Sequence, residues 1–304
     1  ETNIDSIFLS GGAAGAIQSI IDVLIDPGDV VLVEEFCYLG TIKMLLQRRA
    51  QVIHIGTDLE GIQTDILEET IKGLAAKNKR PKLIYTIPVY QNPMGMTMSL
   101  KRRMELVDIA QRYQIPILEN ESYADFRIDG PILPDTLMAI DNQDSVMYVS
   151  AYTKLLGCGL RLGYGVLPKQ MISKLASVDF GPSPSHLSSI AIHEYLNRHM
   201  DDHITLVTES LKSKRDAMIS ALDDYFPSSC MWNHPNGGMM IWMRLPEGSD
   251  TWKVHDKAVD HDVNYNPGPV FRADREGSNY IRLTYSHNSP EEINEGIAIL
   301  AEVF

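Results

Sequence analysis

Short, nearly unbroken apolar runs alternate with amphipathic stretches through the first half of the chain. The run "SIFLS" (Ser6 to Ser10) predicts a strand, after which Ile17, Ile20, Ile21 and Leu24 recur on one helical face. The turn "DPGD" leads into a second strand, "VVLVEE", and then helix "TIKMLLQRR", strand "QVIHIG", helix "ILEETIKGLAAK" and strand "KLIYTIP". Helix "SLKRRMELVDIAQRY" follows, with strands "IPILENES", "SVMYVSAY" and "LRLGYGVL" behind it. Strands apolar on both faces, separated by amphipathic helices, predict an α/β fold: a mostly parallel central sheet with helices on both sides.

The texture changes after Pro184. A helical stretch is expected from His186 to Tyr225, with a break near Asn197 to Asp202. Strands "GGMMIWMRL" and "YIRLTYS" come later, and the chain closes with "SPEEINEGIAILAEVF". There Ser289, Pro290 and Glu292 form the signature of a capping box. We therefore expect a large α/β domain over 1–185 and a smaller C-terminal α+β domain over 186–304.

Composition narrows the picture. The chain has 304 residues, 44 % of them hydrophobic, enough for a sizeable core. A formal net charge of −13, with no block of Lys and Arg, argues against contact with nucleic acid by this segment. No apolar run reaches the roughly 18 residues a bilayer requires. Cys37, Cys158 and Cys230 have no CxxC spacing, so reduced thiols and a cytoplasmic location are expected. The chain opens at Glu1, without a signal peptide and already entering a strand, which leads us to expect an upstream segment.

Several motif searches fail. "GCGLRLG" leads into a strand and so is no dinucleotide fingerprint, and GxxxxGK[ST], HExxH and GxSxG are absent. His199 and His203, one helical turn apart beside Asp201 and Asp202, read as a polar helix face in preference to a metal site.

The informative residues sit at predicted strand ends, where ligands bind in parallel α/β sheets. "SGGAAGA" (Ser10 to Ala16) follows the first strand and opens a helix, and its small residues let backbone N–H groups approach an anion. "EEFCYLG" puts Tyr38 beyond a strand; "PVYQNPMG" does the same for Asn92, and "ENESYADF" for Asn120 and Tyr123. "SAYTKLLGCGLRLG" sets Lys154 and Arg161 among apolar neighbours. Both cations are seldom buried without a partner.

In this order, and with "GGMMIWMRLP" and "NYIRLTYS" behind them, these segments resemble the fold-type-I pyridoxal-phosphate aminotransferases. The similarity covers essentially the whole chain and is greatest to the branch of kynurenine/2-aminoadipate aminotransferases and MocR-type regulators. The resemblance implies pyridoxal 5′-phosphate as cofactor, an α-amino acid and a 2-oxo acid as substrates, and a homodimer. It assigns Lys154 to the Schiff base with the cofactor, where a desolvated lysine is a competent nucleophile and then a base. Arg161 neutralises the cofactor phosphate on this assignment, and Gly12, Ala13 and Ala14 form the phosphate loop. Tyr38 stacks on the ring. Asn92 and Tyr123 hydrogen-bond its phenolic oxygen, with Asn92 also bordering the substrate, and Arg282 grips the substrate carboxylate in bidentate fashion.

The sequence also departs from that family. Asn120 stands where the family places an aspartate opposite the pyridine nitrogen, and an amide cannot hold the ring protonated. Glu119 and Glu121 flank it, but strand alternation turns them to the other face. Ala151 replaces a hydroxyl residue before the lysine, a loss for which Ser150 and Thr153 can compensate. Two alternatives to transamination follow. One is the effector-sensing domain of a MocR-type regulator; the other is a pyridoxal-phosphate enzyme of elimination, decarboxylation or oxidation.

Overall fold

Strands form where the apolar runs are unbroken. The computed structural model describes residues 2–178 and 184–304. Its first elements are β1 (Ile7–Ser10), α1 (Ala13–Leu24), β2 (Val30–Glu34), α2 (Leu39–Gln47) and β3 (Gln51–Ile55). A small hairpin of β4 (Thr57–Asp58) and β5 (Gly61–Ile62) leads to α3 (Thr64–Ala75) and β6 (Pro81–Thr86). Then come α4 (Leu100–Tyr113), β7 (Ile117–Asn120), α5 (Leu137–Ile140), β8 (Val146–Ala151), α6 (Thr153–Leu156), β9 (Gly163–Val166) and α7 (Lys169–Val178). The chain continues through α8 (His186–Tyr225), β10 (Met231–Trp232), β11 (Met240–Arg244), α9 (Thr251–Asp260), β12 (Asn266–Pro267), β13 (Tyr280–Thr284) and α10 (Pro290–Val303).

The chain divides into two compact units. The first comprises Glu1–Val89, Thr97–Tyr123 and Leu133–Met200. Its seven-stranded sheet has the order β1-β9-β8-β7-β6-β2-β3. Strands β8, β7, β6, β2 and β3 run parallel to one another, while β9 is antiparallel to both β1 and β8. Val30 and Leu32 of β2, Ile84 and Ile117 pack with Leu67, Leu106 and Val107 of α3 and α4 in one core. The alternate residues Val31 and Val33 are fully buried as well, and α1 and α2 lie against β1, β8, β9 and β3. Both faces of β2 are thus apolar for a reason: helices cover each of them.

The second unit comprises Tyr90–Met96, Ala124–Ile132 and Asp201–Phe304. It carries an antiparallel sheet in the order β10-β11-β13-β12. The two short segments belong to it through hydrogen bonds: Asn233 Nδ2 donates to Met94 O (2.9 Å), and Ile128 N donates to Asn236 O (2.9 Å). The expected capping box forms at Ser289 and Glu292.

Two expectations shift. The division anticipated at 185/186 falls inside the first unit, whose last segment ends at Met200. Helix α8 also continues through Asn197 to Asp202. That stretch has neither glycine nor proline, and a Glu194–Arg198 ion pair of 2.8 Å spans its start.

Candidate active site

The parallel strands deliver their ends to one edge of the first unit's sheet. Ser10 and Ala151 are both paired with Gly163, so the ends of β1 and β8 meet the start of β9. The loop after β1 passes so close to β9 that a Cβ on Gly163 would lie 2.4 Å from Gly12 C. Gly12 itself is buried, has φ 89° and ψ 168°, and opens α1 without any side-chain cap. The N–H groups of the first turn are therefore left to other partners.

Three of the expected residues converge there. A Cβ on Gly12 would lie 3.0 Å from Arg161 Nη2 and 3.2 Å from Thr153 Oγ1. Arg161 donates to Gly11 O across the loop. Thr153 Oγ1 is buried and makes no hydrogen bond among the described residues. A guanidinium, an unspent hydroxyl and a helix N-terminus around a glycine-sized space suit a phosphate group. Ala13 and Ala14 occupy the first positions of α1.

Lys154 follows Thr153 on the single turn α6, where it is exposed. Its apolar flank has another destination: Leu155 is buried, and a one-turn helix cannot bury adjacent residues on the same side. The expectation that Lys154 and Arg161 are desolvated in mid-sheet is corrected accordingly. Arg161 is exposed too, in the left-handed region at φ 49°, before β9 begins at Gly163. The predicted strand "LRLGYGVL" thus starts later than its hydrophobicity suggests, because "GCGL" forms a tight turn over Cys158–Leu160.

Tyr38 is the half-buried residue that opens α2. Tyr123 is buried just beyond β7. Ser150 Oγ donates to Glu121 O (2.9 Å), which spends its hydroxyl on the neighbouring strand. Asn120 is buried at the end of β7, where its Nδ2 donates to Tyr85 OH (2.8 Å) and its Oδ1 accepts from Ser122 Oγ (2.8 Å). Burial, and then the nearby Cys37, hold the Tyr85 phenol well above its ordinary pKa. The amide therefore has a neutral donor-acceptor beside it.

Glu119 and Glu121 do turn away from that position. Both face the fully buried Arg103, at 4.0 and 3.8 Å, and Glu119 also accepts from Leu137 N and Met138 N. Burial, followed by repulsion from Glu121, pushes the Glu119 carboxyl up to about 7.

Asn92 and Arg282 belong to the second unit and meet there. Asn92 is buried, and its Oδ1 accepts from Arg282 Nη1 (2.9 Å). Asn266, which pairs with Arg282 across β12 and β13, accepts from Nη2 (2.5 Å). The guanidinium carbon also stands 5.1 Å from the centre of the Phe271 ring. Two amide oxygens orient the fork, and a guanidinium held in this way suits a carboxylate ligand. The sequence reading missed Asn266 and Tyr85; the only signal for Asn266 is an Asn-Pro pair of the kind singled out at Asn92. No cluster of metal-ligating side chains occurs among the described residues, His199 and His203 included.

A parallel sheet with anion-binding groups at its strand ends defines a class of α/β enzymes that act on phosphate-bearing ligands. Residues 1–300 match the family Aminotransferase class I and II, and the chain belongs to it. It is 36 % identical over 302 residues to aromatic-amino-acid aminotransferase 1 of Thermococcus litoralis, covering 97 % of this chain and 72 % of that one. The solved kynurenine aminotransferase of Pyrococcus horikoshii, in complex with PMP, superposes with a TM-score of 0.92 at 33 % identity, covering 98 % of this chain and 74 % of that one. An uncharacterized HTH-type transcriptional regulator of Bacillus subtilis, YisV, is 30 % identical, and the match covers 98 % of this chain but only 60 % of the regulator. The chain is a pyridoxal-phosphate-dependent aminotransferase.

Proposed function

We propose that this chain moves an amino group between an α-amino acid and a 2-oxo acid, with Lys154 as the amine that carries pyridoxal 5′-phosphate. The observation that supports this most is the buried, unspent hydroxyl of Thr153, next to Lys154 in sequence and facing Gly12 and Arg161. When bound, the cofactor supplies an aldehyde and an electron-withdrawing ring. Arg161, Thr153 and the N–H groups of Ala13 and Ala14 hold its phosphate; Tyr38 covers the ring. Asn92 and Tyr123 donate to its phenolic oxygen. The Lys154 amine would hold the cofactor and, when free, would serve as the base that takes up the proton from the substrate Cα. Arg282, oriented by Asn92 and Asn266, binds the α-carboxylate.

Asn120 limits the power of this arrangement. Its amide already serves Tyr85 and Ser122 and carries no charge, so it cannot fix a proton on the ring nitrogen as a carboxylate would. Proton removal from Cα is slower on this account than an aspartate would make it. The protein works in the cytoplasm as a homodimer; its free Cys37, Cys158 and Cys230 are in keeping with that location. The test is to supply pyridoxal 5′-phosphate, a panel of amino acids and a 2-oxo acid, and to measure both products. Stoichiometric exchange of amino and oxo groups supports the proposal. Release of ammonia or carbon dioxide instead would assign an elimination or a decarboxylation.

The likeness to YisV favours a second reading, in which the chain senses an amino acid for an attached DNA-binding module. Tight amino-acid binding with no product over many hours would decide for it.

A further inference from the structure

Arg103 of α4 is fully buried, and a guanidinium in that position persists only where partners surround it. Three of its five N–H donors go to the backbone: Nε to Met98 O (3.1 Å), Nη1 to Asp135 O (3.0 Å) and Nη2 to Pro88 O (3.0 Å). The carboxylates of Glu119 and Glu121 flank Nη1. All of these groups belong to the first unit.

Their positions along the chain are not random. The chain leaves the first unit after Val89 and re-enters at Thr97; it leaves again after Tyr123 and re-enters at Leu133. Pro88 and Met98 are the roots of the first excursion, closed by a Met98 N to Pro88 O bond of 2.8 Å. Glu121 and Asp135 stand at the roots of the second. One side chain thus reaches all four roots, and the excursions carry Asn92 on one side and begin beside Tyr123 on the other. A core arginine needed only for packing has no reason to choose these carbonyls.

We propose that Arg103 is a positioning residue of the transamination: by tying the four roots to one planar fork, it fixes where Asn92 and Tyr123 are presented. The proposal rests on the roles assigned above to those two residues. Burial holds the Arg103 pKa below its ordinary value while the two glutamates raise it again, so the cation is maintained by the cluster it organises.

The holo-protein provides the test, because the pH midpoint of its visible absorbance reports donors to the phenolic oxygen. Two variants are compared with wild type: Arg103→Lys, which keeps the charge but loses the fork, and Arg103→Met combined with Glu119→Gln and Glu121→Gln, which leaves no buried carboxylate unpaired. Both are expected to fold by far-ultraviolet circular dichroism and to load cofactor. We expect the midpoint to move by about half a unit or more. We also expect kcat to fall roughly tenfold to a hundredfold through misplacement of the donors, while KM, governed by Arg282, changes little. Wild-type midpoints and kcat in both variants overturn the proposal, and so does a loss explained entirely by unfolded protein. Asn92→Ala and Tyr123→Phe are titrated alongside. If they move the midpoint and the Arg103 variants do not, the positioning role fails alone; if they leave it unmoved, the assigned roles fail and this inference falls with them.

Discussion

Replacing Gly12 by alanine separates a phosphate cradle from an ordinary turn. The residue holds φ 89° and ψ 168°, a region essentially reserved for glycine. Holding an alanine there costs about 1–3 kcal/mol of native stability. The new methyl would stand 3.0 Å from Arg161 Nη2 and 3.2 Å from Thr153 Oγ1, inside the space between the groups that hold the phosphate. Arg161 has a long exposed side chain and can retreat, so the contact adds less to the stability loss than the backbone does. Its retreat nevertheless removes a charge-assisted partner from the phosphate. If that loss is on the order of 1.4–3 kcal/mol, cofactor affinity falls roughly tenfold to a hundredfold. Denaturant unfolding of the apoprotein measures the first effect, and titration with pyridoxal 5′-phosphate measures the second. Gly11→Ala is the control, since a Cβ there meets nothing within 4 Å. A Gly12→Ala protein that loses stability but binds cofactor as tightly as Gly11→Ala would refute the cradle.

Other outcomes follow from the same geometry. Arg282→Lys keeps a charge but loses the fork that Asn92 and Asn266 orient, so steady-state KM for the amino acid should rise roughly tenfold to a hundredfold. Asn120→Asp should speed exchange of the substrate Cα proton in heavy water; an unchanged rate would remove Asn120 from the account of slow turnover. Glu119 titrates near 7 in the fold against 4.5 in the unfolded chain, so the native state binds its proton more tightly. Its contribution to stability is present below pH 4.5, is lost as pH rises towards about 7, and is then constant. Urea unfolding should show a decline of about 3 kcal/mol across that window, flattened in Glu119→Gln; parallel profiles would contradict the shift.

Much of the fold was legible because burial on both faces leaves an unbroken apolar run, as at residues 30–33 and 83–85. Ser289 and Glu292 were legible through cap chemistry, which is local. The residues of the site could be ordered along the chain only through a family likeness, since each alone reads as a turn or a core aromatic. What escaped was non-local. Arg103 sits in "LKRRMEL" beside the exposed Lys101, and nothing in the string distinguishes a fully buried arginine from a solvated neighbour. Tyr85 reads as one more strand residue, yet its hydroxyl determines what Asn120 can do. The second unit draws in Tyr90–Met96 and Ala124–Ile132 through bonds to residues far along the chain, so no change of texture marks them.

The account depends on which amine takes the cofactor. Reduction of the holo-protein with borohydride, digestion and mass spectrometry should find a phosphopyridoxyl group on the peptide containing Lys154, and Lys154→Ala should abolish the reducible absorbance. A label on any other lysine, or none at all, would contradict it.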